Sequence, residues 1–160
     1  MKLFLLRHTE ADYGGPDPER PLSEFGTRMA ASLAAFVASK PFYSFEEVWS
    51  SPYLRARQTA QPFLESSGTN PSIHIRDILV PGADPSVVLG ELKKTDSSLL
   101  LVGHNPHLSI LAARLMELDH GFYPLSFKKG ALFVFKRDPY SGSGFTLSAY
   151  LPPAALGFST

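Results

Sequence analysis

Two arginines and two histidines stand where apolar runs give way to polar ones. Arg7-His8 follows Leu3-Phe4-Leu5-Leu6, Arg55 lies in Ser51-Pro52-Tyr53-Leu54-Arg55-Ala56-Arg57, and His104 lies in Gly103-His104-Asn105-Pro106 directly after Leu99-Leu100-Leu101-Val102. Arginine presents a planar fork of donors that matches phosphate oxygens and keeps its charge at every relevant pH. A neutral imidazole can attack phosphorus, and a protonated one can donate hydrogen bonds. Brought together, Arg7, His8, Arg55 and His104 would suit phosphoryl transfer, in which positioning and charge stabilisation supply most of the catalysis.

Other chemistries have little support. The 160-residue chain contains no cysteine, which removes disulfides, thiolate nucleophiles and thiolate metal sites. No Gly-rich phosphate loop or carboxylate triad competes with the Arg/His set. Basic and acidic residues balance at 15 each, so no net field draws the molecule to nucleic acid or an anionic membrane, and anion binding must be local. His104 and His107 have a spacing that can chelate metal, but no third ligand is evident, and His107 reads as a rim or surface residue. His74 and His120 lack catalytic context. Arg57, two residues along a helix from Arg55, points elsewhere and reads as structural.

For the four residues to meet, the elements before them must deliver them to one edge. The runs ending at Leu6 and Val102 are wholly apolar, as expected for central parallel strands covered on both faces. A loop rich in Gly, Pro and Asp spans Thr9 to Pro21. Phe25, Met29, Leu33 and Phe36 then recur at helical spacing, with Ser23 as N-cap and Pro41 beyond the end. Glu47 to Ser50 is a short strand. Ser51-Pro52 offers a capping hydroxyl before a helix running to about Glu65, which Pro62 should kink or shorten.

Ile73 to Ile75 reads as a weak strand and Ser86 to Lys94 as a helix. Leu108, Leu111, Ala112 and Leu115 form the apolar stripe of another helix. Ala131 to Phe135 and Phe145 to Tyr150 form a hairpin around residues 138–144, and the Pro-rich tail after Tyr150 reads as loosely ordered surface chain. This alternation predicts an α/β fold, a three-layer α/β/α sandwich whose mostly parallel central sheet has an antiparallel edge from the C-terminal strands. In such sheets ligands bind beyond the carboxyl ends of the strands, where Arg7-His8, Ser51 to Arg57 and His104 all fall.

At these residues the sequence resembles the histidine phosphatase superfamily, and within it the short SixA-like phosphohistidine phosphatases. Leu5-Leu6-Arg7-His8-Thr9-Glu10 resembles the strand-end Arg-His-Gly signature. Arg20-Pro21-Leu22-Ser23 with Gly26 resembles the segment ahead of the first helix. Ser51-Pro52-Tyr53-Leu54-Arg55-Ala56-Arg57-Gln58-Thr59-Ala60 resembles the second motif, and Val102-Gly103-His104-Asn105-Pro106 the third. The resemblance runs from Lys2 to about Leu118. It implies that His8 is the phosphorylated nucleophile, that Arg7, Arg55 and His104 bind phosphate and stabilise the transition state, and that Arg20 adds a further phosphate contact. For Arg20 a surface ion pair with Glu19 or Glu24 is an equal alternative. The chain departs from the pattern at Thr9, where glycine is usual, and in lacking a recognisable general acid, for which Asp77, Asp84 and Glu10 are the candidates.

The expectation is a metal-independent, cofactor-free phosphatase acting through a covalent intermediate on His8. Its expected substrate is phosphohistidine or a phosphorylated protein, with a histidine-phosphotransfer domain as one candidate partner. Only about fifty residues separate Arg55 from His104. That leaves little room for an inserted cap, so residues 1–160 read as a single domain with an open site. The alternatives are a small-molecule phosphomonoesterase or mutase of the same superfamily, a phosphate-binding module with little turnover, and a metal-dependent hydrolase built on His104 and His107. No stretch approaches the ~20 apolar residues of a membrane helix, so neither a membrane nor nucleic acid is an expected partner, and the cytoplasm is the expected location.

Overall fold

The computed structural model describes residues 1–118, 125 and 127–159. His120, one of the two histidines without catalytic context, lies outside the described residues. Six strands, β1 (Lys2–Arg7), β2 (Glu47–Ser50), β3 (Ser72–Ile75), β4 (Leu99–Gly103), β5 (Leu132–Arg137) and β6 (Phe145–Leu151), form one sheet in the order β3-β2-β4-β1-β5-β6. The first four strands in that order are parallel, whereas β5 and β6 are antiparallel to their neighbours.

Alternation along β1 shows why its sequence is apolar throughout. Leu3 and Leu5 face one core with β4 residues Leu99 and Leu101, Val88 and Leu92 of α3 (Pro85–Leu92), and Leu108, Leu111 and Leu115 of α4 (His107–Leu115). Phe4 and Leu6 face the other core, with Leu100, Val102, Leu33 and Val37 of α1 (Glu24–Ala38), and Ala56, Ala60 and Phe63 of α2 (Leu54–Ser66). The expected three-layer sandwich is therefore present, with α1 and α2 on one face and α3 and α4 on the other. Each fully buried Leu or Phe contributes about 1.5–3 kcal/mol relative to exposure, so a slip of β1 by one residue would exchange two filled cores.

Several local expectations change in the folded chain. In α1 the buried positions are Gly26, Met29, Ala30, Leu33, Ala34 and Val37, while Phe25 and Phe36 are half-buried. The ring of Phe25 meets Phe158 edge-on at 5.5 Å, and Lys40 covers Phe36. The tail after Tyr150 is thus docked: Pro153 to Leu156 forms a 3-10 turn with Pro153 buried, and Phe158 closes over α1. Pro62 does not shorten α2, which continues to Ser66. Ser51 does not cap α2 either, since Tyr53 is the N-cap and makes no side-chain cap bond.

The start of α1 is clamped to the loop after β1. Ser23 caps the helix by accepting from the Gly26 amide, and its own amide donates to the Glu10 carbonyl at 3.1 Å. At Gly26 an added β-carbon would collide with the Glu10 carbonyl group, so the helix can approach this closely only without a side chain. Gly26→Ala should therefore push residues 9–12 away from α1 and cost on the order of 1–3 kcal/mol, as overpacking does. A lowered urea midpoint together with reduced phosphatase activity is the expected result.

Candidate active site

The sheet register brings the expected residues together. Arg7 pairs with Gly103 across β1 and β4, and Ser50 pairs with Val102 across β2 and β4. Beyond the last pairs, the His8 amide donates to the Gly103 carbonyl at 3.0 Å and the Ser51 amide to the Val102 carbonyl at 3.0 Å. A cavity of about 390 Å³ opens above these ends, lined by Arg7, His8, Arg20, Arg55 and His104 together with Tyr13, Asp17, Asn105 and Lys129. All five expected phosphate-site residues share it.

His8 is buried and held at both ring nitrogens. Its Nδ1 lies 2.6 Å from the Thr9 carbonyl oxygen, which can only accept, so Nδ1 carries the proton. Nε2 is left as the lone pair, and Arg55 Nε–H donates to it at 3.3 Å. Burial is the main force lowering the imidazole pKa to about 4. The Thr9 carbonyl opposes that shift, while Arg55, Arg7 and Lys129 add to it. At neutral pH the ring is uncharged and its unprotonated nitrogen is Nε2, the form required of a nitrogen nucleophile.

His104 lies beside it, with ring centroids 5.0 Å apart. Its Nε2 is 2.8 Å from Ser51 Oγ, its Nδ1 has no partner, and Tyr53 packs edge-on against the ring at 5.0 Å. Burial first, then the nearby His8 and Arg55, lower its pKa to about 3. Two neutral imidazoles thus face two guanidinium groups.

Arg7 donates through Nη1 to the Phe127 carbonyl at 2.6 Å, while its Nε is buried without a partner. Arg55 is tied to the 3-10 turn at Asp17–Glu19: Nη1 donates to the Asp17 carbonyl at 2.6 Å and Nη2 to Asp17 Oδ2 at 3.1 Å. Arg20 donates to Asp17 Oδ1 at 3.1 Å and through Nε to the Asp12 carbonyl at 2.7 Å. Its ion-pair partner is therefore Asp17, rather than Glu19 or Glu24, and the pair is part of the pocket wall. Partial burial raises the Asp17 pKa, but the hydrogen bonds and charges of Arg55 and then Arg20 outweigh it and hold the carboxyl below its usual range.

Asp17, Lys129, Tyr13 and Asn105 are the residues that the sequence reading missed. The three proposed acids are placed elsewhere: Asp84 caps α3 by accepting from the Ser86 amide and pairs with Arg114, Glu10 Oε1 accepts from Ser23, and neither these two nor Asp77 lines the cavity. His107 is buried, not at the rim. Only 1% of its surface is exposed and neither ring nitrogen is hydrogen-bonded, although the Ile78 carbonyl is near enough to favour the protonated form. Burial nevertheless lowers its pKa, and its ring does not line the cavity with His104. Among the described residues no three His, Asp or Glu side chains gather to hold a metal ion. His74 is an exposed partner of Glu47 at 3.6 Å, and Arg57 is exposed on α2.

Comparison with known proteins agrees with this geometry. Residues 3–79 match the model of the histidine phosphatase superfamily, branch 1. An uncharacterized protein of Picosynechococcus is 31% identical over 140 residues, 82% of each chain. Phosphohistidine phosphatase SixA of Escherichia coli is 28% identical over 161 residues, covering 98% of this chain and 96% of that protein. The solved structure of the protein histidine phosphatase SixA complexed with tungstate superposes with a TM-score of 0.84 at 25% identity, over 98% of this chain and 99% of the other. With its parallel strand ends, its paired histidines and arginines and these relatives, the chain belongs to the histidine phosphatase superfamily as a SixA-like member, and it is a phosphatase.

Proposed function

We propose that the chain removes phosphate from phosphohistidine on a protein, through a covalent phosphohistidine intermediate on His8. The observation that carries this reading is the tautomer of His8, with Nδ1–H tied to the Thr9 carbonyl and a bare Nε2 beside the Arg55 guanidinium. In the first step, with the substrate phosphohistidine already protonated on its other ring nitrogen, His8 Nε2 bonds to phosphorus as the bond from phosphorus to the leaving nitrogen breaks, and that nitrogen keeps the electron pair so that a neutral imidazole departs. In the second, water attacks phosphorus, the bond to Nε2 breaks, and inorganic phosphate leaves. Arg7, Arg55 and His104 hold the phosphoryl oxygens throughout, and Arg20 adds a contact at the edge. Such a clamp covers the charge that a metal ion would otherwise neutralise, so activity is expected to persist in chelator.

Phosphorylated proteins or small phosphorylated molecules are the broader substrate class, and the open mouth favours a protein. The segment from Arg55 to His104 is spent on α2, β3, α3 and β4, which supports a single catalytic domain over residues 1–160 without an inserted cap. An uncapped mouth can accept a phosphate presented on a protein surface. Among the described residues no helix is long and apolar enough to cross a membrane. A cytoplasmic setting belongs to the same proposal, since a chain without cysteine forgoes nothing in a reducing compartment.

The pocket also favours nitrogen leaving groups. Expelling an alkoxide demands a proton donor, typically worth 10²–10⁴-fold in rate, and the carboxylate lining this cavity is Asp17, ion-paired to two arginines. An imidazole is protonated near neutral pH and leaves without such help. Phosphoramidates and activated aryl phosphates should therefore react far faster than phosphoserine, and the phosphorylation rate should fall steeply as leaving-group pKa rises. Asp77→Asn, Asp84→Asn and Glu10→Gln should leave that slope unchanged. His8→Ala should abolish turnover, and quenched wild-type enzyme should carry label on His8 that survives alkali and decays in acid. Appreciable turnover by H8A, or acid-stable label, would defeat the covalent mechanism.

The lowered histidine pKa values set the pH response. With His8 at about 4 and His104 at about 3, both rings stay neutral at neutral pH, so kcat/KM for an aryl phosphate, corrected for ionisation of the ester, should hold level down to about pH 5 and then fall as His8 protonates. Stability follows the same sign. The unfolded chain binds protons from about pH 6.5 downwards while the folded rings refuse them, so stability is full above pH 6.5 and is lost towards pH 4, by on the order of 3 kcal/mol for His8. Urea unfolding at stepped pH values measures this, and His8→Asn should flatten the curve.

A further inference from the structure

Ser51 is fully buried at the end of β2, and its hydroxyl has two neighbours within hydrogen-bond distance. The Tyr53 amide, which can only donate, approaches Oγ at 3.3 Å. The other neighbour is His104 Nε2 at 2.8 Å. Two arrangements of protons satisfy these positions. In one, Ser51 Oγ–H donates to a bare Nε2 and the single proton of neutral His104 sits on Nδ1. In the other, Nε2–H donates to Ser51.

A count of buried groups separates the two. With Ser51 donating, its hydroxyl is satisfied as both donor and acceptor, and one group, Nδ1–H, is left without a partner. With His104 donating, the Ser51 hydroxyl hydrogen and the Nδ1 lone pair are both stranded at buried positions, each carrying the penalty of an unpaired polar group. The first arrangement also leaves a donor for an incoming anion, whereas the second presents a phosphoryl oxygen with a lone pair that would repel it.

We propose that Ser51 is a positioning residue that fixes the tautomer of His104, keeping its proton on Nδ1 so that a neutral imidazole donates to a phosphoryl oxygen. This rests on the phosphatase reading of the pocket in which His104 lies. Such a donor needs no imidazolium 5.0 Å from the nucleophile ring, where a second positive charge would oppose protonation changes on His8 and the pairing of its lone pair with phosphorus. The unpartnered Nδ1–H is then completed by substrate, which makes the bond stronger in the bound complex than in the free enzyme.

The test reads the tautomer in the resting full-length protein. In two-bond ¹⁵N–¹H correlation spectra near pH 7, the His104 ring, assigned by its disappearance in H104Q, should show Nδ1 at a protonated, pyrrole-like shift and Nε2 at a bare, pyridine-like shift. Orthovanadate should displace the Nδ1 resonance. Protonated Nε2 with bare Nδ1 overturns the proposal, whatever happens to activity. Ser51→Ala should mix the two tautomers and weaken vanadate inhibition about tenfold, the scale of one hydrogen bond. An S51A variant with the wild-type tautomer also overturns it. Because the wild-type spectrum is decisive, poor folding of S51A leaves the proposal exposed to refutation. Failure of the His8 covalent mechanism is read separately, by the absence of acid-labile label.

Discussion

The carboxyl end of β4 is where the chain commits itself. Two successive carbonyls of that strand, at Val102 and Gly103, accept the amides of Ser51 from one side and His8 from the other, each at 3.0 Å. These bonds extend the parallel ladder one step past its last pairs, and they hold residues from three distant parts of the sequence within a single hydrogen-bond spacing. From the opposite side of β1, the Gly130 amide is shared between the Arg7 and His8 carbonyls at 3.1 and 3.2 Å. The dipeptide is therefore fixed through its backbone on both sides, leaving the side chains to do chemistry. Both faces of β1 and β4 are filled with apolar side chains, so the register that produces this alignment cannot shift without emptying a core.

That rigidity supports an electrostatic arrangement that folding alone would not favour. A chain with no net charge concentrates Arg7, Arg55, Arg20 and Lys129 around one cavity and answers them with the carboxylate of Asp17. Arg7 Nε, His104 Nδ1 and Asn105 Oδ1 are all buried without partners, and all belong to residues lining the cavity. Unpaired buried groups cost about 1–3 kcal/mol each, which the strand cores must offset. Arg7 Nε–H is a donor that a phosphate oxygen satisfies, as is His104 Nδ1 when it carries the ring proton, whereas Asn105 Oδ1 is an acceptor that an anion leaves unpaired.

Much of this was legible in sequence because the residues of the expected set that line the cavity sit at the ends of elements with strong patterns. Wholly apolar four-residue runs identify central parallel strands, and the residues just beyond the carboxyl end of such a strand must lie at the sheet edge where ligands bind. Arg7, His8, Arg55 and His104 could be assigned to one pocket on that basis. Asp17, Tyr13 and Lys129 could not, since they come from irregular segments whose path has no periodicity to read. The same limit explains the tail: Phe158 docks on Phe25 through a long-range ring contact and Leu156 packs on the core beside α1, and nothing local in Pro152-Pro153-Ala154-Ala155 announces it. His107 looked like a surface residue because a polar type at a helix start ordinarily is one. Its burial depends on tertiary packing of α4 against the turn at Asp77–Leu79, which sequence spacing does not encode.

Thr9 shows how the fold and the chemistry divide one residue between them. Glycine at this position would suggest either a left-handed backbone or a need for phosphate to come close, yet among the described residues the non-glycine positions with positive φ are Asn70 and Glu117. Thr9 is fully buried and does not line the cavity. Its amide donates to Thr59 Oγ1 at 3.2 Å, its hydroxyl lies 3.4 Å from the same oxygen, and Thr59 in turn donates to the Arg55 carbonyl at 2.7 Å. What the site takes from residue 9 is its carbonyl oxygen, which accepts from His8 Nδ1 and so leaves Nε2 bare. A carbonyl is common to every residue type, so the side chain is free to serve another purpose. Here it joins the loop that carries His8 to the helical turn that carries Arg55, the two residues whose side chains meet at His8 Nε2.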